Sequence, residues 1–258
     1  MYTLNGDFDV KVLKNRRKKP LFNLFLTSTQ IFIFVLMDYN KLELFVSKPR
    51  LDRYLIACGN SRDRAQKLYE ANITVAQAFY PILNLFETFL RNFISEKLTT
   101  YFGDEAWIIN EKSGFMDDIS LAPKYYLKNQ VLSAERNTRG TITPGKIISE
   151  QPFGFWTSLF EPRHYTLIRG YIIRCFPNKP SHVNRLVIYT TLKDIREFRN
   201  RVYHNENICF NNITIDFTNA QRIKTEIYNM LEWMDVDLKN YAKKFDKVDE
   251  EITKALVI

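Results

Sequence analysis

Over residues 78–94, apolar side chains fall at positions 79, 82, 83, 86, 89, 90, 93 and 94, a spacing that turns one face of a helix toward a core. The pattern extends both ways and predicts one long helix over 62–100, with Ser61 as N-cap and Gly103 as its stop. Pro81 should kink or divide that helix, because proline lacks the N–H an inner turn needs. Upstream, Ser47 before Lys48-Pro49 predicts a helix start, and Gly59-Asn60 ends that helix. Downstream, helices are expected over 121–137, from Thr143-Pro144 onward, over 181–204, and over 216–244. The last carries Ile223, Ile227, Met230, Leu231 and Met234 on one side. Residues 152–165, rich in aromatics, read as short helical pieces, and 205–212 as a loop. No segment sustains the period-two alternation of a half-buried strand, so the fold expected is an all-α bundle.

Composition agrees with that expectation. A 258-residue chain that is 45% hydrophobic, with 20 Phe and 14 Tyr, can bury a large core. Its 8 Gly and 9 Pro are too few for the many tight turns of an all-β protein. Cys58, Cys175 and Cys209 are widely spaced and form no CxxC pair, which argues against a zinc cluster and against a disulfide framework. A reducing cytoplasm is the expected compartment. Neither GxxxxGK[ST] nor GxGxxG occurs, so no nucleotide cofactor is expected, and none of the usual ligand spacings appears, so no metal is expected either.

The net charge of +8 points to an acidic partner such as RNA, but its placement weakens the inference. Residues 1–36 hold six basic side chains against Asp7 and Asp9, a net of +4, which leaves +4 of the +8 for 37–258. Three readings fit this extension. Its basic stretch at 14–20 and apolar stretch at 21–36 have the order of a membrane anchor. The apolar part, however, is interrupted by Asn23, Thr27, Ser28, Thr29 and Gln30 and is shorter than the ~20 residues a spanning helix needs. A folded arm is the second reading. The third, which we favour, is that 1–36 is an extension outside the fold, with translation starting at Met37 and one helical domain over 37–258.

The chemistry concentrates at 192–208. At about 100° per residue, Ile188, Leu192, Ile195, Phe198 and Val202 form one apolar arc, and Arg199 projects into its middle. A guanidinium there stays charged and should have a partner. Asn200 and His204, four apart, share a flank of the same helix. An imidazole can take the proton of a ribose 2′-hydroxyl or give one to a leaving oxygen, and a fixed cation can stabilise charge developing on the phosphate. The plain reading stands beside it: an arginine in a buried ion pair and a histidine closing a helix. Glu87 and Arg91, also four apart, read either as an ordinary surface pair or as a carboxylate reaching across to orient Arg199.

Residues 199–204, Arg-Asn-Arg-Val-Tyr-His, resemble the R-polar-x3-H signature of HEPN ribonucleases. The order of YEANITVAQAFYPILNLFETFLRNFISEKL, PFGFWTSLF and REFRNRVYHNENI resembles the Abi-like family, the AbiD/AbiF group of bacterial abortive-infection proteins, from about Lys48 to about Leu238. The resemblance implies a HEPN-like helical bundle with additional helices and metal-independent endoribonuclease activity. It also implies phage defence by arresting the infected cell, and a homodimer in which the Arg199–His204 helices face each other. It makes Arg199 and His204 the catalytic pair, with Asn200 as the polar member. Glu87, Arg91 and Asn92 match the family's E-x3-R-N block as supporting residues. An antitoxin or a phage-derived trigger would be a partner in addition to the RNA substrate; the membrane is not expected to be one.

Two other function classes compete: a non-catalytic helical protein that binds RNA or a phage component, and a membrane-associated effector anchored by 14–36. The remaining conspicuous residues read as structural. His164 and His182 are expected at the surface or as caps, Cys209 is not marked as a nucleophile, and Trp107, Trp156, Trp233 and the PFGFWTSLF segment are expected in the core.

Overall fold

The computed structural model describes residues 37–258, and the readings offered for residues 1–36 lie outside the described residues. The fold is all-α, with twelve α-helices and one two-stranded hairpin among the described residues. The chain divides into two units after Ser47. In the first, α1 (Tyr39–Val46) is capped by Asp38, whose carboxylate accepts the Asn40 N–H at 2.7 Å. All other elements belong to the second unit, Lys48–Ile258.

That unit is organised around one long helix. After α2 (Lys48–Ala57), Ser61 Oγ accepts the Arg64 N–H and starts α3 (Arg62–Phe102), which ends on Gly103 in the left-handed conformation at φ 65°. Pro81 does not divide α3, which runs unbroken for 41 residues. The turn around Pro81 is held by burial on both sides: Phe79, Ile82, Leu83, Phe86, Leu90 and Ile94 are all in the core. Each such side chain contributes about 1.5–3 kcal/mol when fully buried, enough to offset the hydrogen bond Pro81 forgoes. By length and composition α3 could cross a membrane. Its apolar face is instead packed against α2, the 3₁₀ turn at Tyr171–Cys175 and the helices at Phe153–Ser158, Arg185–Tyr203, Thr218–Met234, Val236–Lys243 and Val248–Ala255.

The middle of the chain is a series of short pieces: α4 (Trp107–Asn110), α5 (Tyr126–Asn137), α6 (Pro144–Glu150), α7 (Phe153–Ser158) and α8 (Pro162–Leu167). Trp107 and Trp156 are fully buried, and Trp233 is half-buried. The helix expected over 121–137 begins only at Tyr126. Residues Ile119–Leu121 form a 3₁₀ turn, and Ala122, before Pro123, is extended at ψ 150°, as a residue preceding proline prefers.

Three further boundaries differ from expectation, each for a local reason. The helix expected from residue 181 is α9 (Arg185–Tyr203), because the Asn184 side chain accepts both the Leu186 and Val187 N–H groups. The expected loop at 205–212 enters a hairpin, β1 (Phe210–Asn211) antiparallel to β2 (Thr214–Ile215), with Phe210 opposite Ile215. The helix expected over 216–244 is broken into α10 (Thr218–Met234) and α11 (Val236–Lys243). Asp235 is extended there, and its carboxylate caps the Asp237 N–H at 2.7 Å. Helix α12 (Val248–Ala255) closes the chain against α3.

Candidate functional site

The apolar stripe of α9 dictates where its charged residues go. Ile188, Leu192, Ile195, Phe198 and Val202 are buried, and the Phe198 ring meets Phe79 of α3 edge to face at 4.8 Å. This seating brings Arg199 against α3, where its Nη2 lies 3.4 Å from Glu87 Oε2, with the two side chains 29% and 22% exposed. The expectation that Arg199 needs a partner is met by an acid 112 positions earlier in the chain.

Two more groups touch the guanidinium, and two others stand behind them. Nη1 donates weakly to Asn200 Oδ1 at 3.5 Å, and the Tyr203 ring lies with its centre 4.1 Å from the guanidinium carbon. Tyr203 in turn meets Tyr80 edge to face at 5.1 Å. Arg91, one turn beyond Glu87, donates to Asn92 Oδ1 at 3.4 Å and adds its charge near the Glu87 carboxylate. Burial nonetheless wins at Glu87: its pKa is raised, although Arg199 and then Arg91 pull it down. Arg199 Nε is buried without a hydrogen-bond partner among the described residues, so Arg199 has more donor capacity than its neighbours use. Beside the pair runs an open groove of about 590 Å³ lined by Tyr80, Pro81, Asn84 and Tyr203.

His204 is placed differently. It ends α9, its backbone N–H donates to the Asn200 carbonyl at 2.9 Å, and its side chain is exposed. The helix stops in a Schellman arrangement. Asn205 is left-handed at φ 52°, Asn205 N–H reaches the Val202 carbonyl at 3.2 Å, and Glu206 N–H reaches Arg201 at 2.8 Å. Asparagine is the side chain besides glycine that tolerates this conformation best. Five positions apart at about 100° each, Arg199 and His204 are separated by about 140° around the axis. Among the described residues no hydrogen bond or ion pair joins them. Asn200 and His204, about 40° apart, do share an edge, and both are exposed.

The chain just beyond His204 is tied down by residues the sequence did not single out. Asn72, buried in α3, accepts the Ile208 N–H at 2.9 Å and donates to the Glu206 carbonyl at 3.4 Å. Tyr54 of α2 donates to Asn207 Oδ1 at 2.5 Å, and Arg53 donates to the Asn212 carbonyl in the hairpin at 2.7 Å. The one available signal was Asn72 itself, a polar residue on the buried stripe of a long helix.

The remaining candidates fall elsewhere. His164 is not at the surface: it is 5% exposed, and Nδ1 lies 2.8 Å from the Ser158 carbonyl. His182 is exposed. Cys209 is buried, and burial pushes its thiol up to about 12, which leaves it protonated and unreactive at neutral pH. Among the described residues no group of three His, Cys, Asp or Glu side chains is arranged to hold a metal ion. Compared with known proteins, the chain matches no protein-family model, no curated protein and no solved structure.

Proposed function

We propose that this chain is a metal-independent endoribonuclease of the abortive-infection type, acting in the cytoplasm as a homodimer through the end of α9. The observation that carries the reading is that the last turns of α9 present a guanidinium oriented by Glu87, at Arg199, and an exposed edge with Asn200 and His204.

In this reading the scissile phosphate sits on Arg199, whose charge offsets the extra negative charge of the transition state. The ribose 2′-oxygen attacks phosphorus, the bond to the 5′-oxygen breaks, and the product strand ends in a 2′,3′-cyclic phosphate. The 2′-hydroxyl must lose a proton and the 5′-oxygen must gain one. Two copies facing each other bring two His204 imidazoles to one cleft, so each transfer has its own group. Pairing also answers the separation of Arg199 from His204 within one chain. Asn200 orients the phosphate, and Glu87, with Arg91 and Asn92 behind it, holds Arg199.

The test is incubation of the purified full chain with RNA in EDTA and analysis of the product ends. Cleavage that persists in chelator and leaves 2′,3′-cyclic phosphates supports the reading; ends of another kind, or cleavage abolished by EDTA, contradict it.

A second reading, a non-catalytic helical protein that binds RNA or a phage component, is favoured by one observation. Arg199 is already engaged by Glu87 and Tyr203, as a purely structural arginine would be. Under it, replacing His204 leaves all activity in cells unchanged.

A further inference from the structure

A second cleft, of about 740 Å³, opens where four pieces of the chain meet: the 3₁₀ turn and prolyl loop around Leu121–Lys124, the start of α5, the start of α8, and α9. Its volume is in the usual range for a small-molecule site. It contains none of the residues around Arg199. Its one residue on α9 is Tyr189, 15 positions before His204 and so about 22 Å away along the helix.

Several side chains in it are held in place. His164 lines the cleft although it is nine-tenths buried. A carbonyl can only accept, so the Nδ1 that faces the Ser158 carbonyl at 2.8 Å, with Glu161 Oε2 at 3.6 Å from the same atom, carries the hydrogen, and Nε2 is the acceptor of the neutral ring. Burial, which lowers the pKa of His164, favours that neutral form. Arg163 is anchored by donating to the Ser120 carbonyl at 2.8 Å. Tyr126 is accommodated by Gly154, where a Cβ would lie 2.9 Å from the Tyr126 hydroxyl. Glycine at that point of the PFGFWTSLF segment therefore makes room for a residue of the cleft.

The chemistry of the lining selects a ligand class. Lys124 and Arg163 are exposed cations that suit a phosphate. Glu161 and His164 Nε2 are acceptors, so the ligand must also bring hydrogen-bond donors, which inorganic phosphate does poorly and ribose hydroxyls or a base N–H do well. Tyr126 and Tyr189, both half-buried, supply aromatic surface for a planar ring.

We propose that this cleft binds a ribonucleoside monophosphate, with the phosphate on Lys124 and Arg163, the base against Tyr126 and Tyr189, and donors of the ligand on Glu161 and His164. The site is separate from the Arg199 face and does not depend on the ribonuclease reading.

Isothermal titration of the full chain with AMP, adenosine and orthophosphate tests it. Saturable AMP binding is expected, with adenosine and orthophosphate each at least tenfold weaker. The double variant Lys124→Ala/Arg163→Ala alters only exposed side chains and should weaken AMP at least tenfold; Tyr189→Ala should weaken it severalfold. Arg199→Ala should leave it unchanged. Absence of binding at millimolar AMP, orthophosphate binding as tight as AMP, or affinity unaltered in both cleft variants overturns the proposal. So does an affinity for AMP that is lost with Arg199, which would put the nucleotide on the other face.

Discussion

Glu87 of α3 and Arg199 of α9 face each other at 3.4 Å, and the acid has a raised pKa despite its cationic partner. Desolvation therefore outweighs the attraction, so the pair adds little to stability while holding the guanidinium in one place. Glu87→Gln should change unfolding free energy by less than about 1 kcal/mol. RNA cleavage should fall about tenfold, mostly in kcat, because a misplaced cation stabilises the transition state less well. The sign of the pH effect follows from the raised pKa. The folded chain takes up a proton at Glu87 before the unfolded chain does, which adds stability below the ordinary value of 4.5 and loses it as pH rises through the raised value. Urea unfolding across the region just above pH 4.5 should find wild type gaining on Glu87→Gln as pH falls; a flat or opposite difference contradicts the assignment.

Asn72 links the core of α3 to the chain that follows His204. Asn72→Leu leaves the Ile208 N–H buried without its acceptor, at a cost of about 1–3 kcal/mol. Asn72→Asp keeps the acceptor and should recover part of the loss. Chemical denaturation measures both, and equal stabilities for Leu and Asp would remove the hydrogen bond from the account.

His164 has the opposite pH behaviour from Glu87. Burial lowers its pKa, more than the Ser158 carbonyl and Glu161 raise it, so the unfolded chain binds the proton first. Its contribution to stability is complete above the ordinary value of 6.5 and is lost as pH falls from there through the lowered value. Thermal unfolding between pH 7 and pH 5 should find wild type losing more stability than His164→Gln. Parallel curves would mean that His164 does not titrate in that range.

The legible parts of this sequence were those whose signals are local and repeated. Helix α3 carries a cap at Ser61, a stop at Gly103 and a buried stripe between them, and Pro81 does not divide it, because packing on both sides outweighs a single missing donor. Asn184, the start of α9, and Asp235, the break between α10 and α11, carry little signal, because a one-residue cap leaves the apolar period undisturbed. The hairpin has two residues per strand, too few to alternate. At the site, the place of Arg199 inside an apolar arc announced that it needed a partner, and the E-x3-R-N block supplied Glu87 as a candidate. Asn72 and Tyr54 were out of reach, since their partners near Ile208 lie 136 and 153 positions away and only the folded chain brings them together. The burial of His164 is equally invisible in the sequence, since it follows from the packing of α8 against the 3₁₀ turns before α5.

The most direct measurement of the central claim is cleavage of total RNA in EDTA, with growth of the expressing cells, for the wild-type full chain, Arg199→Ala and His204→Ala. Each substitution should lower cleavage by at least about a hundredfold and relieve growth arrest while the far-ultraviolet spectrum and unfolding midpoint stay close to wild type. Wild-type cleavage retained by both folded variants would contradict the account and leave Arg199 and His204 with structural roles alone.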